Sequence, residues 1–132
     1  ADARPVLERA SARETAARVA VGALAKLLLA AFGIAIGSYV TEIGGVGAAV
    51  PDLRAEELWV LAERSDLRCP DEKATEKMRA VIDAARKEGD SLGGLFVVSA
   101  TGLPVGLGSY AHGDRRLDAL LAAAMISIPA VK

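Results

Sequence analysis

Apolar and polar positions along this chain fall into two alternating periods. Between Ala12 and about Phe32 alanine, leucine and valine dominate, and Ser11 followed three residues later by Glu14 forms a capping box, each side chain satisfying the other's free backbone amide. This predicts a helix that starts at Ser11 and stops at Gly33. From Ile34 the period shortens to two, with Ile34, Ile36 and Val40 set against Ala35, Gly37 and Thr41, the pattern of a half-buried strand ended by Gly44-Gly45. Pro51 and Asp52 open a short amphipathic segment carrying Leu53, Leu58, Trp59 and Leu61, a helix to about Arg64.

The next helix is the clearest. Pro70 and Asp71 supply a stop and an N-cap, Met78, Val81, Ile82 and Ala85 share one face, and Gly89 stands where a C-cap glycine belongs. Lys73, Glu76, Lys77 and Lys87 occupy the other face. After Gly93-Gly94, the run Leu95–Ala100 is apolar, rich in β-formers and bounded by glycines, which predicts a buried strand. Gly102–Gly108 is then a loop. Asp114 is positioned to cap a last helix with Leu117, Leu120, Leu121 and Ala124 as its apolar stripe, ending before Pro129. Helices interleaved with a few strands define an α+β domain, and its 132 residues suit a single unit.

Composition sharpens this picture. Apolar residues make up 52% and aromatics only 4%, so the core is expected to rest on close helix contacts between small side chains. Charge is balanced, 16 Lys plus Arg against 17 Asp plus Glu, leaving no field that would draw the chain onto nucleic acid or an anionic membrane. Val19–Ile36 is the most apolar stretch, but Lys26 interrupts it and Arg18 flanks it. It reads as a buried helix running into a strand, not a membrane span. Cys69 is the only cysteine, which excludes an intrachain disulfide and fits a reducing, cytoplasmic setting.

Three features bear on chemistry. Arg9 and Arg13 flank Ser11 at the predicted helix start, where free amides and the positive end of the helix dipole suit a phosphate or carboxylate; the ordinary alternative is a cap with solvated arginines. Gly106-Leu-Gly-Ser-Tyr-Ala111 fits G-x-G-x-x-A formally. That fingerprint needs a strand before it and a helix opening within it, and Pro104 and His112-Gly113 argue for a structural loop instead. Cys69 before Pro70 reads as a quiet thiol, and His112, the lone histidine, as a loop residue and not a metal ligand. The residues yield one plausible anion site, no metal site and no complete catalytic set.

One segment carries a sharper message. Glu8-Arg-Ala-Ser-Ala-Arg-Glu-Thr15 resembles the signature of chorismate synthases. Arg68–Asp71, Glu88–Gly94, Gly102–Ser109, Arg116–Asp118 and Ser127–Lys132 follow in that family's order. The resemblance implies a β-α-β sandwich around a helical core. It also implies a homotetrameric lyase that eliminates phosphate from 5-enolpyruvylshikimate 3-phosphate to give chorismate, with reduced FMN as cofactor. By the same resemblance the flavin contacts map onto Arg9, Ala10 and Ser11 in the signature and onto Pro129 and Ala130 near the end.

The chain also departs from the family. Pro129 replaces a polar residue of many relatives, and Val97 stands where relatives often carry Glu. The family's Gly-Glu-Ser-His-Gly, Arg-Pro-Gly-His and Arg-Ser-Asp motifs, which carry its histidines, have no counterpart. No residue here is therefore assigned a catalytic role, His112 included. The expectation is a central portion of the enzyme, one unit over 1–132 lacking the N- and C-terminal segments and inactive alone. The alternative is a non-catalytic core that binds flavin or oligomerises.

Overall fold

A computed structural model describes residues 2–10 and 12–132; for Glu8, Arg9, Ala10 and Ala12 it describes the backbone only. Five α-helices and three strands are seen among these residues: α1 (Arg4–Ala10), α2 (Ala12–Ala31), β1 (Ala35–Ile43), β2 (Val46–Gly47), α3 (Ala55–Glu63), α4 (Glu72–Glu88), β3 (Gly94–Thr101) and α5 (Leu117–Ile126). A 3₁₀ turn, Gly113–Arg115, precedes α5. The architecture is α+β, as the sequence pattern predicts. Contacts divide the chain into two compact units, residues 35–101 and residues 1–34 with 102–132.

The 35–101 unit is a three-stranded antiparallel sheet in the order β2-β1-β3 with α3 and α4 packed beside it. The sequence marks Gly44-Gly45 as the end of a strand but misses what they build. Both have positive φ, 59° and 79°, the conformation of a two-residue turn that returns the chain as β2. One face of the sheet receives α3. Trp59 lies over Gly37 and donates its indole N–H to Ser99 Oγ at 3.1 Å. Gly37 pairs with Ser99, so both partners of the indole stand side by side on that face.

The opposite face is a correction to the sequence reading. Side chains alternate across a strand, so Ile36, Val40, Phe96 and Val98 share the face turned away from Trp59. Phe96 and Val98 are 41% and 46% exposed, and β3 is not the buried strand that its glycine-bounded apolar run predicts. The reason is its place: an edge strand gains cover only from the face on which a helix sits.

The buried cluster of this unit lies between α4 and the β1–β2 hairpin. Met78 and Cys69 are 0% and 2% exposed and pack with Ala74, flanked by Ile43, Val46, Ala48 and Leu67. Asp71 ties this cluster together. Its carboxylate accepts the Lys73 and Ala74 amides at the start of α4, at 3.0 and 3.2 Å, and the Ala49 amide beyond β2 at 2.9 Å. Those bonds, the Ala49 amide first and the Ala74 amide next, hold its pKa below the ordinary carboxylate value.

A carboxyl with a depressed folded-state pKa adds stability above its unfolded pKa of about 3.9, and that stability is lost as pH falls through the folded value. Asp71→Ala is expected to cost about 1–2 kcal/mol near neutral pH, the range for a lost N-cap. Asp71→Asn keeps an accepting oxygen and should show a flatter acid limb than the parent chain. Urea denaturation followed between neutral pH and about pH 3 reads both effects.

In the other unit, α2 ends in a Schellman motif. Ile34 N–H bonds to Leu29 O and Gly33 N–H to Ala30 O, both at 3.0 Å, with Gly33 at φ 73°. Gly102 approaches so closely that a β-carbon there would lie 2.1 Å from Gly33 O. In this unit α2 begins at Ala12, where the sequence places the long helix, while the Ser11–Glu14 capping box involves Ser11, which lies outside the described residues. The helix ahead of it, α1 from Arg4, is not foreseen by the sequence reading, and two expectations fail. The apolar run of α2 is not buried: Leu24 and Leu27 are 68% and 70% exposed, and Leu120 and Leu121 of α5 are exposed as well. Asp114 sits inside the 3₁₀ turn, and Arg116 is the N-cap of α5. Among the described residues no helix is long and apolar enough to cross a membrane.

Candidate functional site

The residues assigned by resemblance lie at the two ends of the unit formed by residues 1–34 and 102–132. Arg9 and Ala10 are the last two residues of α1, with their side chains outside the described residues, as Ser11 is entirely. From the next helix Arg18 reaches across 109 positions in sequence to donate to Ser127 Oγ at 3.1 Å. It also contacts Glu14, one turn back, at 3.4 Å. The first turns of α2 and the Ser127–Lys132 segment, far apart in the chain, are thus joined by one guanidinium.

Local sequence shapes that segment. Ser127 caps α5 with its hydroxyl donating to Ala124 O at 2.7 Å, and Ile128 N–H bonds back to Met125 O. Pro129 has no amide to continue a helix. The chain then turns through Ala130 at φ 68°, closed by Val131 N–H to Ile128 O at 3.1 Å. An L-residue in that conformation costs about 1 kcal/mol, which the neighbouring bonds must hold in place.

A second pair of motif segments also meets in this unit. Gly106–Tyr110 and Arg116–Asp118 line an open cleft of about 360 Å³. Gly106 and Gly108 have φ of 88° and 95°, and a β-carbon at Gly108 would press on Leu117 at 3.1 Å, so the loop needs these glycines where it passes the start of α5. Arg116 Nε donates to Asp118 Oδ1 at 3.0 Å, and that guanidinium holds the Asp118 carboxyl below its ordinary pKa. The geometry is not that of a dinucleotide fold. β3 ends at Thr101, and the helix after the glycines begins only at Leu117.

His112 is exposed at the start of the 3₁₀ turn, its amide donating to Ser109 Oγ at 3.4 Å. Cys69 is buried in the other unit, its thiol 3.5 Å from Asp71 O, which is the quiet thiol of the sequence reading. The Arg18–Ser127 contact was not foreseen. The signal available in the sequence was only that both residues fall in or beside matched motifs.

Taken together, the chain is an α+β protein in which Arg18 joins α2 to the Ser127–Lys132 segment and two further motif segments line an open glycine-bearing cleft. The chorismate synthase family model matches residues 1–132, and the chain belongs to the chorismate synthase family. It is 56% identical to a chorismate synthase of Symbiobacterium thermophilum over its whole length, which is 34% of that protein. The corresponding enzyme of Geobacter sulfurreducens is 52% identical over 99% of the chain and 33% of its own length. A crystal structure of chorismate synthase superposes with a TM-score of 0.87 at 46% identity, covering 99% of this chain and 42% of that one. The chain therefore spans about a third of the length of these curated relatives.

Proposed function

We propose that these residues serve a chorismate synthase, the lyase that removes phosphate from 5-enolpyruvylshikimate 3-phosphate by 1,4-elimination to give chorismate in the shikimate pathway. The observation that carries this reading is the family match over the entire chain. In this reading residues 1–132, both compact units included, are the central portion of a longer cytoplasmic homotetramer. The matched relatives are about three times as long, which supports that reading.

The cofactor proposed is reduced FMN, held by Arg9 and Ala10 at the end of α1, by Ser11, which follows them in the sequence, and by Pro129 and Ala130. The Arg18–Ser127 bond joins the helix that follows the first set to the segment holding the second, an arrangement that fits one ligand reached from both. When bound, the flavin would lend negative charge to help the allylic phosphate depart. Arg9 would meet the anionic part of the flavin. Pro129 offers no amide donor, so contact there rests on its carbonyl and ring packing.

Replacing the matched third of the Symbiobacterium thermophilum enzyme with residues 1–132 tests the function. The chimaera is expected to form chorismate with reduced FMN and substrate. Arg9→Ala within it should weaken reduced-flavin binding about tenfold, the lower end for a lost hydrogen bond to a charged group. A well-folded chimaera without turnover would remove the functional reading, and a flavin titration unchanged by Arg9→Ala would remove the anion site.

A further inference from the structure

The Arg18 guanidinium is held from two sides. Its Nε contacts Glu14 Oε1 at 3.4 Å, one turn back on α2, while Nη1 donates to Ser127 Oγ at 3.1 Å. The Ser127 hydroxyl spends its own proton on Ala124 O at 2.7 Å, which leaves its oxygen to accept from the charged donor. Among the described residues α2 and α5 do not themselves pack on one another. The tie between them is made by side chains.

Ser127 stands at the entrance to a tight turn. Ile128–Val131 has the marks of a type II turn, with proline second, Ala130 third at φ 68°, and Val131 N–H closing on Ile128 O at 3.1 Å. Pro129 presets the second position. The third normally goes to glycine or asparagine, and the strain of alanine there is comparable in size to the net gain from the one closing bond. Local forces leave this turn close to balance, so a tie from a distant helix is able to decide its shape.

We propose that Arg18 is a positioning residue for the flavin: acting through Ser127, it fixes the Pro129–Ala130 turn in the form that meets the cofactor. The proposal rests on the flavin reading above and deepens it, since it gives Arg18 no contact with the flavin. Removing the guanidinium leaves Ser127 its bond to Ala124 O. The end of α5 is kept, and the strained turn beyond it relaxes.

The test uses the full-length chimaera described above, titrated anaerobically with reduced FMN. Its parent form must bind the flavin; if it does not, the cofactor reading fails and this proposal with it. Arg18→Ala is then expected to raise the dissociation constant about three- to tenfold, the range for a partly exposed hydrogen bond. Ser127→Ala should act likewise, and the double variant should bind no worse than Ser127→Ala alone. Ala130→Gly, which takes the positive φ without strain, should restore most of the affinity lost in Arg18→Ala. A glycine at that position would mend neither a general loss of stability nor a lost ion pair between Arg18 and the flavin. If Arg18→Ala does not fold, Ser127→Ala with and without Ala130→Gly makes the same comparison. Unchanged affinity, additive losses or absence of rescue would each overturn the positioning role while leaving the flavin reading in place.

Discussion

Gly37→Val is expected to detach α3 from the sheet. A β-carbon at position 37 would lie 2.2 to 2.5 Å from three atoms of the Trp59 ring, inside any real contact distance, and the obstacle is a rigid indole, not the end of a flexible chain. Trp59 must leave. Its bond to Ser99 goes with it, as does the packing that places α3 on β1 and β3. The cost should approach that of deleting the ring, about 3–5 kcal/mol. Trp59 is the only tryptophan, so its fluorescence reports the change directly. Emission should shift to the red in the folded variant and the denaturation midpoint should fall. An unshifted spectrum at parental stability would show that the sheet tolerates a side chain here.

The second large effect concerns catalysis. The 132-residue chain, given reduced FMN and 5-enolpyruvylshikimate 3-phosphate, is expected to form no chorismate above the uncatalysed rate. Losing a proton and a phosphate from one ring requires an acid–base group against the ring and cationic donors around the leaving group. The single histidine is exposed in a loop, and its amide is spent on a turn. An anaerobic assay of the mass-verified chain decides the matter, and any turnover would refute the prediction.

Local rules carried much of the fold into view. Asp71 and Gly89 bound α4 where the sequence places them, because an N-cap carboxylate and a left-handed C-cap glycine act on amides and carbonyls within a few residues. Gly33 ends α2 for the same reason. α2 begins at Ala12, where the sequence places the long helix, but α1 ahead of it was missed, because a seven-residue helix is too short for its period to stand out. Asp114 was misread because the 3₁₀ turn takes in the residue that a sequence rule assigns to the cap. Of the site, the basic signature and the Ser127–Lys132 segment were legible as motifs. The Arg18 bond that joins them was not, since nothing local ties two positions 109 residues apart.

By itself the sequence determined the family, through motifs in a fixed order, and the bounds of most helices and strands, through caps, glycines and periodicity. Tertiary structure alone decided which faces are covered. The period of two in Ile34–Val40 correctly announces a strand, but a helix settles on the Gly37 face, because only a glycine leaves room for the Trp59 ring. The apolar face of Phe96 and Val98 is left open. Periodicity states that a face is apolar; what lies against it depends on where distant parts of the chain, or another copy, come to rest.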